Sequence, residues 1–301
     1  VAVSRRGVLL FAAMSVIWGV PYLLIKVAVH DLSPALLVGA RTAIGAVVLV
    51  PLAAARGELR PVLVRWRPLF VYTVVELAVP WVLLSRAEQR LPSSLSGLLV
   101  AAVPLVGVCL GPLLGRHDPL GRRQVGGLLV GLAGVVVLLG LDVSGADSGS
   151  VMLVAVVVVG YALGPAVLSR WLGDVPGLGV AAASLLLCAL GYAPFAVTEL
   201  PRYAPGRVLA AVVVLGLVCT ALAFVVFFAL IAEVGPIRAT VITYANPAVA
   251  VVLGAVFLHE RVGWSTAAGF GLIIGGSVIA ARRRPLTAGE RADPPARAAP
   301  G

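Results

Sequence analysis

Glu76 stands about halfway along an apolar run, Val74-Val75-Glu76-Leu77-Ala78-Val79-Pro80-Trp81. A charge at the centre of a membrane helix costs roughly 2.5–3.5 kcal/mol on insertion scales, so a carboxylate there needs a cavity or a partner. Two roles fit: a site for a coupling proton or a solute amine, or a static pair that fastens helices together. Arg41 lies in a second apolar run, and at ~1.5 Å per residue its depth differs from that of Glu76 by only about 6 Å. It is expected to pair with Glu76 or to snorkel outward, with an anionic group of a solute as the other candidate partner. Lys26, the only lysine in the chain, falls near a span end, where snorkelling is the ordinary behaviour and a gate or solute contact the functional one. Trp18 and Tyr161 sit near the middles of their runs, away from the interfaces where anchoring aromatics collect, and fit a cavity lining or plain helix packing. Gly19-Val20-Pro21 and Gly164-Pro165 beside them are expected to weaken helix continuity, a pointer to transporter sites. Thr243, Tyr244 and Asn246-Pro247 form a polar group in another run. Proline frees a carbonyl one turn earlier there, and Thr240, Thr243 or Asn246 could supply hydrogen bonds to a solute or between helices.

Enzyme chemistry finds little footing. His30, His117 and His259 all lie at run ends without metal-ligand spacing. No His-Glu-x-x-His, paired aspartates, Gly-x-Ser-x-Gly elbow or Walker sequence occurs, so no metal, cofactor or ATP-driven step is expected and any energy must come from a gradient. Cys109, Cys188 and Cys219 are dispersed within apolar runs and read as small fillers. Arg86, Glu88, Arg90, His259 and Glu260 fall at helix ends and read as solvated caps.

These residues must be held by membrane helices. Hydrophobic residues make up 60% of the 301, charged residues 12%, and mean hydropathy is +1.07, well outside the soluble range. Breaking the chain where charge, proline and glycine cluster gives candidate helices at 8–29, 34–55, 68–87, 93–115, 122–142, 150–171, 177–198, 207–231, 235–258 and 263–281. Each is long enough to cross a bilayer, and the unbroken runs favour helices over barrel strands. No room is left for a separate soluble domain. Ser4-Arg5-Arg6 resembles the start of an export signal, but the following run is long and leads into further spans, so a retained first helix is expected. Residues 282–301, rich in Pro, Ala and Arg, read as a disordered tail.

The net charge of +10 is a topology signal and not a nucleic-acid footprint, because the arginines cluster at run ends. With a cytoplasmic N-terminus, only Arg86, Arg90, Arg202, Arg207 and Arg261 fall outside and Lys26 and Arg41 within spans, leaving most of the 23 cationic residues inside. Both termini are therefore expected to be cytoplasmic.

A shift of 143 positions superposes Trp18 on Tyr161, Pro51 on Pro194, Pro104 on Pro247, Gly111 on Gly254 and Gly126 on Gly269, without gaps. Five spans per copy force the second copy, 143–281, to enter the membrane in the opposite sense from the first, 1–142. Such a pair of inverted halves is associated with alternating access around a central site.

Gly235-Pro236 through Asn246-Pro247, His259-Glu260-Arg261, Gly269 and Gly275-Gly276 resemble the closing segment of the EamA-type repeat in the drug/metabolite transporter superfamily. Ser15-Val16-Ile17-Trp18-Gly19 and Arg41 are similar to its opening segment. The resemblance implies an all-α membrane protein of ten helices in two inverted repeats, set in the plasma membrane and transporting small metabolites, commonly outward. One departure is that the offset places His117, followed by Asp118, where the second half has Glu260. The expected function is a secondary transporter of a small metabolite or drug-like solute, with lipid as its surroundings. A homodimer is admitted but not required. The competing readings are a non-transporting receptor or assembly subunit, and a passive channel, which the scarcity of polar residues disfavours.

Overall fold

The computed structural model describes residues 4–111, 121–142, 147–235 and 242–281. Among them the ordered elements are helices and no strand occurs. We number them α1 (Arg5–Ala28), α2 (Pro34–Ala55), α3 (Trp66–Glu88), α4 (Ser93–Leu110), α5 (Arg122–Asp142), α6 (Ser148–Trp171), α7 (Gly177–Thr198), α8 (Gly206–Val234), α9 (Ile242–Phe257) and α10 (Trp264–Ala281). Seven of these (α1–α4 and α6–α8) are long and apolar enough to cross a membrane, and shorter apolar stretches lie in α5, α9 and α10. A short helix, Leu59–Val64, precedes α3 and has no counterpart in the sequence reading. The expected tail 282–301, with His117, Asp118 and Thr240, lies outside the described residues.

Local chemistry sets the helix ends. Ser4 and Ser33 accept hydrogen bonds from the backbone N–H of Gly7 and Leu36, and Asp147 accepts from that of Ser150, so three helices begin on side-chain caps. Gly57 and Gly235, which follow α2 and α8, adopt positive φ of 72° and 83°, the left-handed conformation that glycine supplies without a Cβ clash.

Gly19, Pro21, Gly164 and Pro165 were expected to weaken helix continuity, yet α1 and α6 run unbroken through both prolines. Each proline removes one intrahelical donor, and flanking turns of strongly apolar residues hold the helix where no water competes. The interruptions lie elsewhere. In α3 the backbone widens to a π-helix over Thr73–Ala78, in α8 over Leu217–Leu222. The 143-residue shift carries the first stretch onto residues 216–221, one position from the second. In α4, Ala101 and Ala102 form a turn between two helical pieces, just ahead of Pro104.

Two pairs of helices at matching places in the two halves, α2 with α7 and α5 with α10, pack antiparallel. Along α2 and α7, Gly39 meets Tyr192 and Gly45 meets Leu185; along α5 and α10, Gly131 meets Gly276 and Gly134 meets Gly269 and Ile273. Glu260, just past α9, reaches the start of α4. Glycine is needed in these seams because a Cβ at Gly134 or Gly276 would fall under 3 Å from the partner backbone. Large apolar side chains such as Val47 and Leu190 point outward on the flanks, as lipid-facing residues do. Trp66, Trp171, Tyr203 and Trp264 lie exposed near helix ends, where interfacial aromatics belong.

Candidate functional site

On α2, the buried Arg41 sends Nε to the Thr220 hydroxyl of the α8 π stretch at 2.8 Å. Its guanidinium lies over the Trp81 ring of α3, 3.8 Å from the centroid, a desolvated cation–π contact. The Thr220 hydroxyl in turn donates to the Leu215 carbonyl at 2.8 Å, a bond spanning five residues that fits the widened turn. Arg41 therefore does not pair with Glu76, as the sequence suggested, and no ion pair joins them. Their expected depths differ by only about 6 Å, but the helix faces on which they stand direct the arginine toward α8 and the carboxylate toward α6.

Glu76 occupies the α3 π stretch and rests on α6. A Cβ built on Gly164 would overlap the Glu76 carboxyl, and one built on Gly160, a turn earlier, would come within 2.6 Å of the Val75 carbonyl. The pair Gly160 and Gly164 thus clears the space into which the bulged turn and its carboxylate fit. Glu76 Oε2 is buried without a hydrogen-bond partner. The Tyr192 hydroxyl donates to the Ala78 carbonyl at 3.0 Å, at the end of the bulge. The Tyr161 hydroxyl lies within hydrogen-bonding reach of the Trp81 indole. Arg41 and Tyr161 are thereby gathered around Trp81, with Thr220 holding Arg41 from α8, while the Glu76 carboxyl rests against Gly164 of α6.

Trp18 belongs to another neighbourhood. Its ring packs on Phe227 of α8 at 4.8 Å, in an apolar cluster with Met14, Leu230 and Ile242. The adjacent Gly19 touches Val249 and the Asn246 carbonyl of α9, so α1 and α9 cross there at close range. Asn246 Oδ1 is buried without a partner; Thr243 stands one turn earlier, and the side chain of Tyr244 lies outside the described residues.

The end of the bundle where α1 and α3 finish holds a further group of charges. Lys26 Nζ donates to the carbonyls of Glu88 and Leu91 at 2.7 and 2.8 Å, capping α3. Glu260 accepts from Ser93 N and Oγ at 2.7 and 2.9 Å and from Ser94 N at 2.9 Å, capping α4. His259, at a φ of 54°, turns the chain so that Glu260 points there. Glu88 was expected to be solvated; instead it is fully buried and neither carboxyl oxygen has a partner, because α1 closes over the helix end that it occupies. An opening of about 480 Å³ at this end is lined by Lys26, His30, Arg90, Arg207 and Glu260 together with apolar residues.

Sequence reasoning passed over Thr220, Glu88 and Tyr192 as site residues. A signal existed for the first, since the internal repeat carries Glu76 onto Cys219, beside Thr220.

Similarity to known proteins follows the same two halves. The EamA-like transporter family matches residues 5–140 and again 148–282. The chain is 31% identical over 252 residues to the uncharacterized inner membrane transporter YedA of Escherichia coli (strain K12), covering 80% of this chain and 79% of that protein. It is 27% identical over 278 residues to the uncharacterized transporter YvbV of Bacillus subtilis (strain 168), covering 90% of each. A protein known from its crystal structure superposes with a TM-score of 0.65 at 27% identity, over 92% of this chain and 98% of that one. With helices of this length and apolarity and a family match in each half, the chain is a multi-pass integral membrane protein that belongs to the EamA-like transporter family.

Proposed function

We propose that this protein is a secondary transporter that carries a small metabolite or drug-like solute outward across the plasma membrane by alternating access. Ten spans form two inverted halves, residues 1–142 and 143–281; both termini, including the segment 282–301, face the cytoplasm. The antiparallel seams α2–α7 and α5–α10 support this arrangement. The observation that carries the reading is the polar contact between halves, in which Arg41 of the first half reaches Thr220 of the second under Trp81. A contact of this kind at the seam can be made in one state and exchanged for solute in the other, which gives the solute a differential affinity for the two states. Arg41, Trp81 and Tyr161 form the solute-facing surface, with Trp18, Thr243, Tyr244 and Asn246 supplying its α1–α9 side. Glu76 exchanges the coupling proton. The protein performs no covalent chemistry.

Testing begins with a thermal-shift screen of the purified protein against a metabolite library, followed by flux of the best ligand in sealed proteoliposomes under an imposed proton gradient. Saturable, gradient-dependent flux is expected, and Glu76→Gln should keep the ligand-induced shift while losing the gradient dependence. A ligand that shifts stability but never crosses the vesicle wall would instead establish a receptor or assembly subunit. Coupling intact in Glu76→Gln would remove that residue from the mechanism without touching the carrier reading. Single cysteines at Arg56 and Arg202 should label from opposite faces, with Arg56 cytoplasmic; labelling from one face would end the inverted-repeat topology.

A further inference from the structure

At the opposite end of the bundle, where α3 begins and α6 finishes, a groove of about 460 Å³ is lined by Arg65, Arg67, Pro68, Val71, Arg170 and Trp171. Arg65 is occupied: it donates to the Trp171 carbonyl at 3.0 Å and pairs with Asp174, clamping the groove walls together. Arg67 and Arg170 are not. Both are exposed, and among the described residues neither has a carboxylate within ion-pair distance. Arg67 lies 5.4 Å from the Trp66 ring centroid.

Below this cationic rim the walls are apolar. Pro68 and Val71 continue into an exposed strip that includes Phe70. Along the helix direction the groove thus presents two uncompensated guanidiniums and then a hydrocarbon wall. A soluble anion would satisfy the rim alone, whereas a phosphate attached to an acyl chain satisfies both. Exposed Trp66 and Trp171 set the rim at headgroup depth.

We propose that this groove is a binding site for an anionic phospholipid. Its phosphate is held between Arg67 and Arg170, and an acyl chain lies along Phe70 and Val71. Basic pockets between membrane helices are a recognised chemistry for such headgroups. The bound lipid would bridge α3, which carries Glu76, to α6, which carries Tyr161, so it would hold together one helix from each half.

Native mass spectrometry of the full chain in mild detergent tests this with phosphatidylglycerol, phosphatidylcholine of the same acyl chains, and inorganic phosphate. Wild type should retain phosphatidylglycerol at collision energies that strip phosphatidylcholine, and Arg67→Gln with Arg170→Gln should reduce that retention roughly tenfold. A control pair at the start of α5, Arg122→Gln with Arg123→Gln, should leave it unchanged. Equal retention of the two lipids, equal loss in the control pair, or displacement of phosphatidylglycerol by millimolar phosphate would overturn the proposal. Should the double variant fail to fold, the exposed single change Arg170→Gln must still lower retention, and no loss there also overturns it.

Discussion

Arg41 Nε and the Thr220 hydroxyl, 179 residues apart in the chain, meet at 2.8 Å with both side chains buried. The bond joins the second helix of one family repeat to the π stretch of the other, and Trp81 covers its guanidinium. A hydrogen bond to a charged group contributes about 1.5–3 kcal/mol, and neighbouring partners couple non-additively. Thr220→Val and Arg41→Gln should each lower the unfolding free energy by about 1–3 kcal/mol. A double-mutant cycle should return a coupling of at least about 0.5 kcal/mol. Additive losses in chemical denaturation of the detergent-solubilised protein would show that the contact is energetically idle.

Gly164 and Glu76 form a second interlocked pair. Gly164→Ala places a methyl group against the carboxyl and should destabilise by about 1–3 kcal/mol, the usual range for overpacking. Adding Glu76→Ala should recover most of that loss, because the methyl group then occupies vacated space. Thermal melts of the two single variants and the double variant decide it, and a double variant no better than Gly164→Ala places the strain elsewhere.

Glu260 closes three N–H or O–H donors at the start of α4. Glu260→Ala should cost about 1–2 kcal/mol, as loss of a helix N-cap does. Glu260→Gln should cost less, since its amide oxygen still accepts. Hydrogen exchange should register faster exchange at Ser93 and Ser94 in the alanine variant while the far end of α4 is unaffected.

Asp147 caps α6 outside the spans. The Ser150 hydroxyl, then Arg90, hold its carboxyl below the ordinary aspartate range. A depressed folded-state pKa adds stability above the unfolded value near ~3.9, lost as pH falls through the folded value. Wild type should therefore melt above Asp147→Asn at neutral pH, with the gap closing below about pH 4. A gap that persists unchanged into acid would assign the effect to something other than this ionisation.

The lipid-crossing elements were legible from residue order because a backbone in hydrocarbon must satisfy its own hydrogen bonds, which ties long apolar runs to helices. The ends of α1, α2, α5, α6 and α7 fall within about three residues of the sequence expectation, since serine, aspartate, proline and glycine act locally there. The two repeats were legible through Pro51/Pro194 and Gly126/Gly269, residues whose backbone effects are hard to replace.

Only the tertiary structure decided the partners. Arg41 and Glu76 have expected depths only about 6 Å apart, and depth is all that counting residues along a helix yields; facing depends on rotation, which packing against α6 and α8 sets. The π stretches shift that rotation by an inserted residue without any sequence mark, and so decide that Glu76 meets Gly164 while Arg41 meets Thr220. Glu88 looked solvated because it ends a helix, and became buried because Lys26 brought α1 across that end.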